Sequence, residues 1–144
     1  MSAKFFLDTN IVVYTFDTRA PKKKRRAQEL VEQALRTQQG VVSTQVVQEF
    51  LNVATTKFSV PLKLSDTQQY LQDVLGPLCL VYPSLDLYRQ ALVLQQDTQY
   101  SFYDSLIIAG ALQAGCDILY SEDLQHGQRI RGMQIINPFI SSSS

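Results

Sequence analysis

Four acidic residues stand close behind short apolar stretches, where a buried strand or helix gives way to polar chain. Asp8 follows the apolar run 5–7 directly, and Asp123 comes shortly after the run 118–120. Glu49 lies about a turn and a half into the helical segment after the run 41–42, and Asp104 opens the most apolar helical segment of the chain. Because the carboxyl ends of parallel strands meet at one edge of a sheet, we expect the four carboxylates to converge there.

Carboxylates that converge repel one another unless a cation, a proton or solvent compensates their charge. At ~5 Å and an effective dielectric constant of 20, one such pair costs roughly 3 kcal/mol. A set of oxygen ligands suits Mg²⁺ or Mn²⁺ better than Zn²⁺, and the single histidine, His126, fits a surface or capping role better than a zinc site. A metal held by carboxylates activates a bound water and neutralises charge on a phosphate, so the pattern indicates phosphoryl chemistry.

Each acid also has an explanation that involves no chemistry, because polar and acidic residues are favoured at helix N-termini. These explanations are an N-cap at Asp8 or Asn10, a capping box between Ser101 and Asp104, a solvated helix face at Glu49, and a favourable helix dipole at Glu122 and Asp123. Each is sufficient for its own residue. The repetition of one placement four times favours a shared site.

The elements that must position these residues alternate between strand and helix, which is typical of a parallel α/β sheet. Apolar runs predict five strands, at 5–7, 41–42, 78–82, 118–120 and 134–136. Helical periodicity and capping residues predict helices over 11–16, 22–36, a segment opened by Ser43 and Thr44, 65–74, 85–96 and 101–114. Gly40 and Gly115 are expected to end helices, and Gly76-Pro77 to break one. We therefore predict one domain over residues 1–140, with helices on both faces of a parallel sheet, and a disordered tail at 141–144.

The basic residues are unevenly distributed, although the formal net charge of the chain is zero. A zero net charge gives no global field toward nucleic acid or a membrane. Six of the thirteen basic residues, however, are Arg19, Lys22, Lys23, Lys24, Arg25 and Arg26. The run 22–26 could bind an RNA backbone by neutralising phosphates, or it could be a solvated helix face. No aromatic residue interrupts the run, so it offers no platform for base stacking.

The two cysteines and the N-terminal segment favour a reducing compartment. Cys79 and Cys116 lie in apolar surroundings, without a second Cys or His at metal-ligand spacing, so we expect both to be reduced core residues. The N-terminus has no signal-peptide pattern, and no apolar run approaches membrane-spanning length. A cytoplasmic protein is the expectation.

Four sequence blocks resemble the PIN-domain ribonucleases, of the kind found as VapC-type toxins of toxin–antitoxin pairs. The blocks are LDTN at 7–10, QEF at 48–50, YDSLIIAGALQAG at 103–115 and YSEDLQHG at 120–127. Their order and spacing cover nearly the whole chain. The resemblance implies a three-layer α/β sandwich, metal-dependent cleavage of RNA that leaves a 5′-phosphate, a symmetric homodimer and a cognate antitoxin protein.

The resemblance also assigns roles to individual residues. Asp8, Glu49, Asp104 and Asp123 match the acidic quartet of the family, and Thr9, Asn10 and Ser121 match its polar supporting positions. We expect Asp8, Asp104 and Asp123 to hold Mg²⁺ or Mn²⁺, and Glu49 to complete the ligand shell or orient the attacking water.

Two positions depart from the family pattern. Tyr103 stands where many relatives carry Trp, and Gln125 stands where toxins often carry Asp. The second departure leaves two alternatives open: one metal ion or two, and Glu122 as a substitute ligand or not. A PIN-fold scaffold that binds RNA or a protein without cleaving is the main alternative function, and a phosphatase or receiver-like domain is disfavoured because no D-x-D motif is present.

Apolar and aromatic residues beyond the needs of one small core add to the expectation of a homodimer. They lie in the predicted helices 65–74 and 85–96, notably Tyr70, Leu71 and Tyr88.

Overall fold

A six-stranded sheet forms the centre of the protein, in a computed structural model that describes residues 3–140. The strands are β1 (Phe5–Leu7), β2 (Gly40–Ser43), β3 (Cys79–Val81), β4 (Ile118–Tyr120), β5 (Arg129–Ile130) and β6 (Met133–Ile136). Their order across the sheet is β3-β2-β1-β4-β6-β5. All neighbouring pairs are parallel except β5 and β6, which are antiparallel. The predicted parallel α/β sheet of five strands is confirmed, and β5 adds a sixth, antiparallel strand at its edge.

Among residues 3–140, seven helices connect the strands. They are α1 (Thr9–Tyr14), α2 (Pro21–Thr37), α3 (Thr44–Thr56), α4 (Leu64–Tyr70), α5 (Gly76–Leu78), α6 (Leu85–Thr98) and α7 (Phe102–Gln113). A π-helical turn (Leu71–Leu75) joins α4 to α5. Ser43, Ser84 and Ser101 cap the N-termini of α3, α6 and α7, because each side chain accepts a hydrogen bond from the backbone N–H three positions on.

The first strand lies in the middle of the sheet, and its side chains show that helices cover both faces. Phe5, Phe6 and Leu7 are all buried. Phe5 lies next to Gly40 and Ala34 of α2, whereas the ring of Phe6 approaches Gly110 of α7. Successive residues of a strand point to opposite faces, so α2 and α7 cover opposite sides of the sheet.

Gly40 has a different role from the predicted one. Helix α2 ends at Gln38, which takes the left-handed conformation (φ 59°), and Gly40 is the first residue of β2. A Cβ atom built on Gly40 would lie only 2.1 Å from the Cβ of Ala34. The glycine is therefore needed for close helix–strand packing. The prediction for Gly115, which follows α7 with φ 74°, is confirmed.

Other differences from the predicted elements have local causes. The prediction missed β5 because a strand of two residues carries no periodicity. The predicted break at Gly76-Pro77 is wrong, since the π-helical turn 71–75 continues directly into α5, which contains both residues. Helix α1 begins at Thr9, two residues before the predicted start, because Asp8 already serves as its N-cap.

Strand register places the polar residues that follow β1 and β4 side by side. Leu7 pairs with Tyr120, and the N–H of Asp8 donates to the carbonyl oxygen of Tyr120 at 3.0 Å. Asp8 and Ser121 are therefore neighbours at the carboxyl edge of the sheet.

Two further predictions concern the cysteines and the C-terminal tail. Cys79 and Cys116 are free and buried, as predicted. The predicted tail at 141–144 lies outside the described residues. Within residues 3–140, no helix combines the length and the apolar character that crossing a membrane requires.

Candidate active site

The carboxylate of Asp8 is the buried centre of a polar network at the carboxyl edge of the sheet. Its side chain is almost completely buried. One oxygen, Oδ1, accepts the backbone N–H of Thr9 at 2.7 Å, and the other, Oδ2, accepts the hydroxyl of Ser121 at 2.8 Å. Ser121 is itself fully buried, and its Oγ accepts the backbone N–H groups of Asp123 (3.2 Å) and Leu124 (3.3 Å). Ser121 therefore holds both the Asp8 carboxylate and the loop that carries Asp123.

Two side chains of α1 connect Asp8 to two further acids. The Thr9 hydroxyl donates to Oε1 of Glu49 at 2.5 Å. The Asn10 amide, through Nδ2, donates to Oδ2 of Asp123 at 3.1 Å and lies 3.4 Å from Oδ2 of Asp8. The predicted supporting residues Thr9, Asn10 and Ser121 thus each contact one or two of the acids.

Burial and neighbouring charge disfavour ionisation of Asp8. The pKa of Asp8 is raised to about 6: removal from water is the largest cause, the hydrogen bonds from Ser121 and Thr9 lower the pKa, and the negative charges of Glu49 and Asp123 add to the increase. The three carboxylates are therefore electrostatically coupled. Within residues 3–140, no Lys, Arg or His forms a salt bridge with any of them or with Asp104.

Asp104 forms no direct hydrogen bond to this network among the described residues, but the preceding residue, Tyr103, is connected to it. Gln45 makes the connection, since its Nε2 contacts both Oε2 of Glu49 (3.4 Å) and the carbonyl oxygen of Tyr103 (3.1 Å). The backbone N–H of Asp104 donates to the Ser101 hydroxyl at 3.1 Å. Of the two hydrogen bonds of the predicted capping box, only the one from the Asp104 N–H to Ser101 is therefore present. Ser101 caps the helix, but among the described residues the Asp104 carboxylate forms no hydrogen bond back to Ser101.

Glu122 lies on the outer side of the same loop and has partners of its own. Oε1 accepts the Tyr14 hydroxyl at 2.6 Å, and Oε2 pairs with Nζ of Lys23 at 2.5 Å. Partial burial alone would raise the pKa of Glu122, but these two hydrogen bonds outweigh it and hold the pKa below its ordinary value.

The five basic residues of the predicted RNA-binding run do not behave alike. Lys23 pairs with Glu122, and Arg26 pairs with Glu29 at 3.5 Å. Within the described chain, Lys22, Lys24 and Arg25 form no salt bridge. The run occupies the first turns of α2, and the first turn of this helix contains no acidic residue. Cations at this positive end of a helix are unfavourable, so helix stability does not explain their position.

The ligand atoms at the site are of the type that binds a hard divalent cation, although the side chains do not surround a common point. Among residues 3–140, no three His, Cys, Asp or Glu side chains are placed as a ready metal-binding group. The acids all offer oxygen ligands and have no cationic partner in the described chain. The negative charges of Glu49 and Asp123 also disfavour the ionisation of Asp8. Oxygen ligands of this kind suit Mg²⁺ or Mn²⁺. His126 is exposed, which agrees with the surface alternative, and its Nδ1 accepts the backbone N–H of Asn137 after β6.

Sequence reasoning missed two residues that the fold brings to the site, Tyr14 and Gln45, and it missed the pairing of Lys23 with Glu122. Tyr14 and Lys23 contact Glu122 across separations of 108 and 99 residues, for which the sequence carries no signal. Gln45 could have been found, because it precedes Glu49 by four residues, and such pairs meet on one face of a helix.

The fold and this arrangement of acids define a class, namely α/β proteins with a buried aspartate and further carboxylates at the carboxyl edge of a mostly parallel sheet. The family model for the PIN domain matches residues 5–129. The chain therefore belongs to the PIN domain family. No curated protein sequence matches the chain.

Solved structures with the same fold support this assignment. The chain resembles a toxin–antitoxin complex from Klebsiella pneumoniae with 20% identity and a TM-score of 0.67, over 96% of this chain and 98% of that chain. It resembles the DNA-bound VapBC of Salmonella typhimurium with 19% identity and a TM-score of 0.64, over 93% and 97%. It also resembles VapC20 of Mycobacterium tuberculosis, described as a Sarcin-Ricin loop cleaving toxin, with 20% identity and a TM-score of 0.56, over 83% and 90%.

Proposed function

We propose that the protein is a Mg²⁺- or Mn²⁺-dependent endoribonuclease and the toxin of a toxin–antitoxin pair. The observation that carries this proposal is the buried Asp8 carboxylate, which is coupled to the charges of Glu49 and Asp123 and has no cationic partner among the described residues. Burying a carboxylate beside two others is costly unless a bound ion compensates the charge.

The residues of the site divide into ligands and supports. Asp8, Asp104 and Asp123 would hold the ion, which lowers the pKa of a bound water and neutralises charge on the scissile phosphate. Ser121 and the Thr9 N–H hold the Asp8 carboxylate in one orientation. The Thr9 hydroxyl fixes Glu49, which completes the ligand shell or accepts the proton of the attacking water.

Substrate and partner follow from the family and from the charge distribution. VapC20 is described as a Sarcin-Ricin loop cleaving toxin, the Klebsiella pneumoniae structure is a toxin–antitoxin complex, and the Salmonella typhimurium structure is a DNA-bound VapBC. We assign an RNA substrate, a cognate antitoxin protein and a cytoplasmic location by this similarity. Lys22, Lys24 and Arg25, at the start of α2, would neutralise RNA phosphates.

Cleavage of RNA in the presence of metal tests this proposal directly. Purified protein incubated with structured and single-stranded RNA should produce fragments with 5′-phosphate ends when Mn²⁺ or Mg²⁺ is added. Excess EDTA should stop the reaction, and fresh metal should restore it. Gel electrophoresis and end-specific ligation measure both points.

The alternative is a PIN-fold module that binds RNA or a protein without cleaving it. It is favoured by the lack of a ready metal-binding group in residues 3–140. Binding of RNA with equal affinity in EDTA and Mn²⁺, with no fragments in either, would establish this alternative and contradict the nuclease proposal.

We also propose a homodimer that forms through α6. One side of this helix exposes an apolar stripe of Leu85, Tyr88, Leu92 and Val93, with Leu85 74% exposed and Leu92 55% exposed. Leu71, predicted with Tyr88 to be in excess of the core, is 38% exposed. Tyr70 is different, because its ring packs 5.2 Å from Phe50 and 5.1 Å from Phe16 in the core.

The dimer should dissociate when charge is placed on this stripe. Leu92→Glu would bury a carboxylate in the interface, so light scattering at tens of micromolar should change from a dimeric to a monomeric mass. Gln90→Glu adds the same charge about 200° around the helix and should leave the dimer intact. A wild-type monomer at this concentration would contradict the dimer, and a dimeric Leu92→Glu variant would place the interface elsewhere.

A further inference from the structure

The side chains around Glu122 form a compact cluster beside the candidate active site. The cluster consists of Tyr14, Lys23, Glu122 and Phe139, and we call it the Glu122 clamp. The Tyr14 hydroxyl and Lys23 Nζ each engage a different oxygen of Glu122, at 2.6 and 2.5 Å. Lys23 Nζ also lies 3.4 Å from the Tyr14 hydroxyl. Both carboxylate oxygens of Glu122 therefore already have a strong partner.

Two aromatic rings fix the position of the lysine in the clamp. Lys23 Nζ lies 5.0 Å from the ring centroid of Tyr14 and 5.6 Å from that of Phe139, both within cation–π range. The two rings pack edge to face at 4.9 Å. The lysine side chain is 40% exposed and the glutamate side chain 24% exposed, so the pair is partly withdrawn from solvent. Lys23 is thus held by α1, by the loop after β4 and by the C-terminal segment.

The backbone of Glu122 connects this clamp to the acids of the site. Its N–H donates to Oδ1 of Asn10 at 3.1 Å, while Nδ2 of the same Asn10 donates to Asp123 at 3.1 Å. Ser121 holds the loop from the buried side. The loop is therefore fixed from within by Ser121, in the middle by Asn10, and from outside by Lys23 and Tyr14.

We propose that Lys23 is a positioning residue that, together with Tyr14, keeps the Glu122 carboxylate out of the metal-ligand set and fixes the loop that carries Asp123. The statement about metal ligands rests on the proposed function, whereas the existence of the Glu122 clamp does not. The Glu122 clamp gives Lys23 a different role from that of the neighbouring cations of α2. Lys22 would contact RNA phosphate, and Lys23 acts through Glu122.

Metal affinity distinguishes a ligand from a clamped glutamate. Calorimetric titration with Mn²⁺ should give the Glu122→Gln variant an affinity within about twofold of wild type, because Glu122 is engaged elsewhere. Asp8→Asn, which removes a proposed ligand, should bind Mn²⁺ at least tenfold more weakly. A tenfold loss in Glu122→Gln would make Glu122 a ligand and overturn the inference.

Kinetics and RNA binding distinguish positioning from phosphate contact. Lys23→Met should lower kcat for RNA cleavage by about tenfold or more at unchanged KM, the size of effect expected for an outer-shell partner. Lys23→Arg, which keeps the charge and the stacking, should restore most of kcat. Lys22→Met should instead weaken RNA binding in EDTA and reduce the salt dependence by about one phosphate contact. Lys23→Met behaving like Lys22→Met would overturn the inference.

A double-mutant cycle tests the clamp even if the protein binds no metal and cleaves no RNA. Thermal unfolding of Lys23→Met, Glu122→Gln and the double variant should show coupling, with the double variant no less stable than the worse single variant. Additive losses of melting temperature would show that the two side chains do not act as a unit, and the clamp would be rejected whatever the activity of the protein.

Discussion

Asp8→Asn should abolish RNA cleavage while leaving the fold intact. The substitution keeps the shape of the side chain and an acceptor for the Thr9 N–H, but it removes the charge that would hold the ion. A bound metal supplies several kcal/mol of transition-state stabilisation, so its loss should lower the rate by about a thousandfold. Initial rates on a defined RNA, at saturating Mn²⁺, measure the effect.

A matched control lies at the opposite edge of the sheet. Asp117 directly precedes β4, is exposed, and is far along the strand from Asp123, which follows β4. Asp117→Asn removes the same charge and should retain the wild-type rate. Because both variants pass through one purification, a contaminating nuclease would cleave equally in the two preparations. A near-wild-type rate for Asp8→Asn would contradict the proposed site.

Asp104→Asn decides whether the fourth acid belongs to this site. Its carboxylate forms no hydrogen bond among the described residues, and Ser101 already caps the helix. A purely capping role would therefore predict little change in rate, whereas a ligand role predicts a loss comparable to that of Asp8→Asn.

The acids could be located from the sequence because the end of a strand is visible in it. An apolar run that stops at Asp8 and another that stops at Tyr120 mark the carboxyl edge, and the strand register then places Asp8 beside Ser121. The alternation of strands and helices was enough to predict the sheet. The supporting residues Thr9, Asn10 and Ser121 were predicted through the resemblance to the PIN family, and their side chains contact acids that are 40 or 113 residues away in the sequence.

The remaining features depend on contacts that leave no local pattern. The Glu122 clamp joins α1, α2 and the loop after β4, and the side chain of Lys23 is indistinguishable from that of Lys22 in the sequence. Gly40 follows a helix, as many helix-ending glycines do, yet it is needed because a side chain at this position would collide with Ala34. Tertiary packing, and not propensity, decides both cases.

Asp8 should make the metal-free protein less stable as the pH rises from about 4 to 6. The folded protein holds a proton on Asp8 up to a pKa of about 6, chiefly because burial disfavours the charge, whereas the ordinary pKa, which applies to the unfolded chain, is 3.8. Below both values the two states bind the proton equally, and Asp8 has no effect. Between them the unfolded state loses its proton first, so unfolding becomes more favourable. Above pH 6 the full penalty remains, about 3 kcal/mol at 1.36 kcal/mol per pH unit.

Comparison of Asp8→Asn with wild type isolates this contribution from all other titrating groups. The amide carries a constant cost, since Ser121 Oγ already accepts two backbone N–H groups and is a poor acceptor for a third donor. That cost does not depend on pH. Urea unfolding of metal-stripped protein should therefore show Asp8→Asn gaining up to about 3 kcal/mol relative to wild type between pH 4 and pH 7.

Metal should then stabilise wild type more than Asp8→Asn at pH 7, and so offset the difference that the metal-free proteins develop between pH 4 and pH 7. Wild type should gain about 2.7 kcal/mol when Mn²⁺ is a hundredfold above its dissociation constant, and Asp8→Asn should gain much less. Parallel pH profiles of the two proteins would show that Asp8 ionises in the fold as it does in water. An equal gain from Mn²⁺ would show that Asp8 is not a ligand. Because the profile is measured without metal and the gain with it, the burial of Asp8 and its role toward the ion are tested separately.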